Sequence, residues 1–201
     1  MREGKETVIA ALPLYHIFAL TVNLMILPMP ARNCPDCQPA RYERLYRRTE
    51  KQRVNVFIGV NTLFNAMVNR PDFAEVDFSG LRLTLGGGMA TQKPLPKMEK
   101  ITGTPIVEAY GLTEASPGVC CNPLNIESYS GSIGLPVPST EVELRDANGK
   151  EVPVGQPGEL WVKGPQVMQG YWNRPEETAK AIDACGFLET GDIAVMDEKA
   201  V

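Results

Sequence analysis

Glu108-Ala109-Tyr110-Gly111-Leu112-Thr113-Glu114 is the stretch on which the reading of this chain turns. From Tyr110 to Glu114 it offers an aromatic ring, a glycine bend, a hydroxyl and a carboxylate. Such groups can stack a base, admit a close backbone, hydrogen-bond a phosphate and ligate a hard cation. Alone, the string equally fits a strand end running into a capped helix, because a hydroxyl followed by an acid suits a first turn. The surrounding sequence decides what it belongs to.

Just upstream, Pro105 to Ala109 reads as a strand. Before it come a helix over Pro94 to Ile101, with Gly103 past its end, and a strand over Leu81 to Leu85 that runs into Gly86-Gly87-Gly88. Farther back, Leu63, Phe64, Met67 and Val68 lie at helical spacing in Asn61 to Val68, with Pro71 as a stop. Val54 to Ile58 and Val8 to Leu12 read as short apolar strands, the second ended by Pro13 just before His16, the only histidine. This alternation predicts a largely parallel α/β sheet. Beyond about Asn122 the pattern becomes short alternating segments, Val142 to Leu144 and Gly158 to Lys163, separated by turns such as Asp146-Ala147-Asn148-Gly149. That is the grammar of a meander or barrel. Pro175 to Ile182 reads as a short helix with Asn173 as its cap. The expected fold is therefore α/β, with a largely parallel subdomain over residues 1–128 and a β-rich, barrel-like subdomain over residues 129–201.

The composition, 43% hydrophobic and 22% charged in 201 residues, is that of a soluble globular chain with one domain or two small ones. No apolar run approaches the roughly 18 to 20 residues that cross a bilayer. The longest, Ile17 to Met29, carries Thr21, Asn23 and Pro28 and reads as a buried element. Met1 begins no charged-then-apolar leader. Five cysteines, an odd number, argue against a disulfide framework and for a reducing cytoplasm. Seven of the twenty basic residues fall between Arg32 and Arg53, a run that by itself suggests nucleic acid or an anionic surface. Cys34-Pro35-Asp36-Cys37 has the spacing of a redox pair or half a zinc site, but no second pair of ligands follows.

Five ordered motifs bring these observations together: Leu12-Pro13-Leu14-Tyr15-His16, Gly86-Gly87-Gly88, Tyr110 to Glu114, Gly158 to Trp172 and Thr190-Gly191-Asp192. Together they resemble the adenylate-forming acyl-CoA synthetases, specifically the bacterial long-chain fatty-acid–CoA ligases, over nearly the whole chain except about Pro28 to Lys51. The resemblance implies activation of a fatty acid with ATP and Mg2+ to an acyl-adenylate, then transfer to coenzyme A as a thioester. It implies that Tyr110 stacks on adenine, that Thr113 hydrogen-bonds the α-phosphate, that Glu114 holds Mg2+ and that Asp192 accepts both ribose hydroxyls. Gly86, Gly87, Gly88 and Gly111 would let main chain lie against the nucleotide and acyl carbonyl, and His16 would line the acyl and thiol entrance. Each role has a rival: core packing for Tyr110, a helix cap for Thr113 and Glu114, a plain turn for the triple glycine and for Asp192, a satisfied core position for His16. Trp161 and Trp172 read as packing residues.

The resemblance also implies parts that these residues lack, a phosphate loop ahead of residue 8 and a lysine-bearing domain after Val201. The 201 residues alone are accordingly expected not to be a competent ligase. Within the chain, Pro35 to Lys51 departs from the ligase pattern, which there resembles LIANPRDMNGFIAELKK. One C inserted ahead of a back-translation of that string yields PDCQPARYERLYRRTEK, all seventeen residues from Pro35 to Lys51, and one base lost after codon 51 restores the frame at Gln52. The stretch reads as a compensated frameshift, so neither the Cys34/Cys37 spacing nor the basic run carries function, and a locally disordered or misdocked segment is expected there. Partners are the fatty acid, ATP and coenzyme A, without nucleic acid; peripheral contact with an inner membrane is compatible with a fatty-acid substrate, although no amphipathic anchor is visible. The rivals for the whole are an adenylation domain that loads a carrier protein and a non-catalytic acyl- or nucleotide-binding remnant.

Overall fold

Val8 and Ile9 are neighbours on one strand, and both are buried, in two different apolar clusters. A strand alternates its side chains between faces, so this strand has protein on both sides. That double burial is characteristic of parallel sheets, and it sets the architecture of the first unit. The computed structural model describes residues 6–26, 31–35, 53–88 and 95–198. They fall into two units, Met1–Ala109 with Asn122–Gly131, and Tyr110–Cys121 with Ser132–Val201.

In the first unit, β1 (Glu6–Ala10), β2 (Ala31–Pro35), β3 (Val56–Val60), β4 (Leu83–Gly87) and the first four residues of β5 (Ile106–Gly111) lie in the order β2-β1-β3-β4-β5. Every pairing from β2 to β5 is parallel. One face packs Ile9 and Phe57 with Leu63, Phe64, Met67 and Val68 of α2 (Asn61–Val68) and Met98 of α3 (Leu95–Thr102). The Phe57 and Phe64 rings meet edge to face, with centroids 5.5 Å apart. The other face packs Val8, Val56 and Ile58 with Ala19 of α1 (Ile17–Leu20), which continues as π-helical turns over Thr21–Ile26. Asn55 stitches the strand starts together: its Oδ1 accepts from the Thr7 N–H at 2.8 Å and its Nδ2 donates to the Gly80 carbonyl at 2.9 Å.

In the second unit, β6 (Gly118–Cys121) pairs antiparallel with β7 (Leu135–Pro136). The strands β8 (Glu141–Arg145), β9 (Pro157–Lys163) and β10 (Leu188–Val195) form an antiparallel sheet in the order β10-β9-β8. Along β9, Gly158, Leu160 and Val162 are buried while Glu159, Trp161 and Lys163 are half-buried, the period of two of a strand with one covered face. Arg145 clamps this sheet from its partly exposed side. Its guanidinium stacks on Trp161 at 4.4 Å and Phe187 at 4.8 Å and pairs with Glu143 at 2.7 Å and Asp183 at 2.8 Å.

The expected α/β architecture, parallel first and antiparallel later, is the observed one. Helix α2 has the expected bounds, and strands β1, β3 and β4 lie within two residues of theirs. Two local expectations need correction. Asn173 does not cap the helix α4 (Pro175–Ala181); it has φ +53°, and Arg174 stands at the cap without a side-chain bond. Trp172 is not a packing residue, being 89% exposed, whereas Trp161 packs on Arg145 as expected. Pro35 is the last residue of β2 and stands in register with Ala10 of β1. The anomalous residues after it, 36–51, and Cys37 with them, lie outside the described residues. Among the described residues no helix is long and apolar enough to cross a membrane.

Candidate functional site

The chain leaves β5 at Gly111 and makes a single 3-10 turn over Thr113–Ala115. The Leu112 N–H donates to the Pro117 carbonyl at 3.0 Å, which folds residues 112–117 back on themselves. A Cβ on Gly111 would overlap that same carbonyl, so the glycine is required by the turn's own packing. Ser116 closes the turn in the left-handed conformation, φ +60°. This leaves the Thr113 side chain exposed and Glu114 half-buried.

Tyr110 precedes the turn and packs half-buried against the cluster of Ala115, Val119, Cys120 and Leu160. Its hydroxyl donates to Asp192 Oδ2 at 2.5 Å. Burial first, and then the bond to Asp192, push the phenol well above its ordinary range, so it stays a protonated donor. Asp192 is presented by a bulge in β10, where the register against β9 shifts between Glu189 and Ile193. Gly191 takes φ +76° there and its N–H donates to Glu159 Oε1 at 3.0 Å. Thr190 Oγ1 donates to the Leu160 carbonyl at 2.7 Å and accepts from the Asp192 N–H at 3.2 Å. Thr190-Gly191-Asp192 is thus a pinned bulge inside a strand, not a loop turn.

Glu114 is held at both ends. Its carbonyl accepts from the Met168 N–H at 2.7 Å, and Oε1 accepts from the Tyr171 hydroxyl at 2.9 Å. Oε2 has no protein partner among the described residues. No group of three or more His, Cys, Asp or Glu side chains gathers among the described residues, so there is no all-protein cage. A half-exposed carboxylate with one open oxygen fits Mg2+, which takes one or two carboxylates and completes its shell with phosphate oxygens and water.

The remaining candidates belong to the first unit. Gly86 and Gly87 are buried at the end of β4, and Gly88 follows at φ +62°. A Cβ on Gly87 would lie 3.2 Å from the Phe18 ring, so this end of β4 is bare backbone packed under an aromatic edge. His16 is exposed, which removes the core-histidine reading, and its Nδ1 accepts from the Phe18 N–H at 3.2 Å as the cap of α1.

The family model described as AMP-binding enzyme matches residues 1–172, most of the chain and both sets of residues just described except the bulge at Thr190, Gly191 and Asp192. The chain belongs to the AMP-binding enzyme family. Within that family it is similar to the long-chain-fatty-acid–CoA ligases of Yersinia pestis, 50% identical over 98% of the chain, and of Escherichia coli O6:H1, 51% identical over 99%. The chain spans only about a third of the length of these relatives, 35% and 36%. Among solved structures, ATP-bound MatB from Rhodopseudomonas palustris is 27% identical and matches 98% of this chain and 39% of its own with a TM-score of 0.83. For an AMP-binding enzyme, the second unit carries Tyr110, Gly111, Thr113, Glu114 and Asp192, while His16 and Gly86 to Gly88 stand in the first. Sequence reasoning missed Tyr171, Met168 and Glu159, which hold Glu114 and the bulge in place. The only signal for Tyr171 was its place inside the Gly158 to Trp172 motif, where nothing in the residue type says that it reaches back to Glu114.

Proposed function

We propose that this chain is part of an ATP- and Mg2+-dependent ligase that activates a long-chain fatty acid as its adenylate and passes the acyl group to coenzyme A. The observation that carries the reading is the Tyr110–Asp192 hydrogen bond, which sets an aromatic face and a carboxylate side by side three residues ahead of Thr113. Asp192 would accept the ribose hydroxyls with the oxygen that Tyr110 leaves open, and Tyr110 would offer its ring to adenine. Thr113, exposed on its turn, would donate to the α-phosphate. In the first unit, Gly86, Gly87 and Gly88 would offer bare backbone to a ligand, and His16 would offer the nitrogen not used as a cap to the acyl and thiol groups.

In the first step the fatty-acid carboxylate oxygen forms a bond to the α-phosphorus and the bond to pyrophosphate breaks. In the second, the coenzyme A sulfur displaces AMP from the acyl carbon, and the thiol proton is released. Glu114 would hold Mg2+, which when bound offsets negative charge on the phosphates. The long-chain preference rests on the 50–51% identity to the two bacterial ligases.

Calorimetric titration with alkyl-AMP esters, non-reactive mimics of the adenylate, tests this reading. Dodecyl-AMP should bind the chain at least tenfold more tightly than propyl-AMP, and Asp192→Ala should weaken both by about tenfold, the loss of a charge-assisted pair of hydrogen bonds. A folded chain that binds neither ester at millimolar concentration would overturn the reading. Equal affinity for the two esters would remove the long-chain assignment and leave nucleotide binding.

A further inference from the structure

Tyr171 is 40% exposed, yet it is more firmly placed than such exposure suggests. Its hydroxyl donates to Glu114 Oε1 at 2.9 Å, and its own N–H donates to Thr178 Oγ1 at 2.9 Å. Thr178 Oγ1 in turn donates to the Arg174 carbonyl at 2.9 Å, in the first turns of α4. Gly170 makes the contact feasible: it takes φ +148°, and a Cβ there would stand 2.7 Å from Thr178 Cγ2. Met168, on the other side of the same loop, clamps the Glu114 carbonyl at 2.7 Å. A continuous path of hydrogen bonds therefore runs from α4 through Thr178 and Tyr171 to the Glu114 carboxylate.

We propose that Tyr171 is a positioning residue for Glu114, occupying one carboxylate oxygen so that the other alone is offered to a nucleotide-bound Mg2+. The inference rests on the nucleotide reading above and deepens it. An unrestrained carboxylate can turn about its terminal torsion and present both oxygens, a bite that suits larger cations; Mg2+ demands near-octahedral geometry and takes carboxylates sparingly. A phenol fixed by α4 removes that freedom in advance, which lowers the ordering required when the metal arrives.

The test is equilibrium binding of a fluorescent ATP analogue to the 201-residue chain, with saturating Mg2+ and with EDTA, for the wild type, Tyr171→Phe and Thr178→Val. Wild type should bind the Mg2+ complex more tightly than the metal-free nucleotide. Tyr171→Phe should lose about three- to tenfold for the Mg2+ complex, as expected for one charge-assisted bond at a half-exposed site, and nothing for metal-free nucleotide. Thr178→Val should follow it more weakly. A merely structural tyrosine would lower both affinities together or neither, and either result overturns the proposal while leaving the nucleotide reading intact. Absence of nucleotide binding by folded wild type, with and without Mg2+, overturns both.

Discussion

At the scale of single residues, the turn after β5 shows how a motif glycine can be demanded by packing before any ligand is considered. The Pro117 carbonyl occupies the space a Cβ on Gly111 would need, and it also receives the Leu112 N–H at 3.0 Å. Neither partner can move without opening the turn. Gly111→Ala should therefore destabilise the chain by about 3 kcal/mol or more, read as a lower urea midpoint, since overpacking against backbone has no flexible side chain to absorb it. Glu108 gives a second residue-scale prediction. It is 6% exposed; Oε1 accepts from the Tyr129 hydroxyl at 3.1 Å, and Oε2 has no partner among the described residues. Burial pushes its carboxyl up, and the Tyr129 bond only partly opposes this. A carboxyl raised in the folded state contributes its full stability below the unfolded pKa of about 4.3, and that contribution is lost as pH rises through the folded value. At pH 7 the ionised form is thus the poorer fit. Glu108→Gln, which keeps an acceptor for Tyr129, should raise stability by about 1 kcal/mol at pH 7 and by nothing measurable at pH 4, in paired urea titrations.

At the scale of elements, two polar side chains do the joining that apolar patterning cannot specify. Asn55, just before β3, bonds to Thr7 in β1 and to Gly80 ahead of β4, so one amide ties three strand entrances. Asn55→Ala leaves a donor and an acceptor unmatched at partly buried positions, and should lower stability by about 2 kcal/mol. A lower urea midpoint, together with faster amide exchange at Thr7, would report the loss; an unchanged midpoint would contradict it. Arg145 does the corresponding work in the second unit, pairing with Glu143 on its own strand and Asp183 beyond α4 while stacking on Trp161 and Phe187. The β10 bulge belongs here too, because the register shift at Glu189 to Ile193 is what turns Asp192 out of the ladder.

At the scale of the whole molecule, acid should unfold the chain sooner than its net charge of −4 suggests. Burial pushes the Asp183 carboxyl up, but bonds from Arg145 and the Phe187 and Cys185 N–H groups outweigh it and hold the group below its ordinary range. Asp77 and Asp146 are also held low, by the Ser79 hydroxyl and N–H and by the Lys150 and Asn148 N–H groups respectively. A depressed carboxyl contributes stability above its unfolded pKa of about 3.9 and loses it as pH falls through the folded value. The urea midpoint should therefore drop as pH falls below about 4, with the drop reduced in Asp183→Asn; a flat acid limb in the wild type would contradict this. The primary sequence alone determined the alternation of apolar strands and helices, the change to antiparallel grammar, and the residue types at Tyr110, Thr113, Glu114 and Asp192. These are local: periodicity and short motifs are written into neighbouring positions. Only the tertiary structure decided that Gly111 is required by Pro117, that His16 caps a helix from an exposed position, that Asp192 rides on a bulge, and that Tyr171 reaches Glu114 across 57 positions of chain. Contacts of that kind depend on where the backbone returns to itself, which no spacing along the sequence encodes.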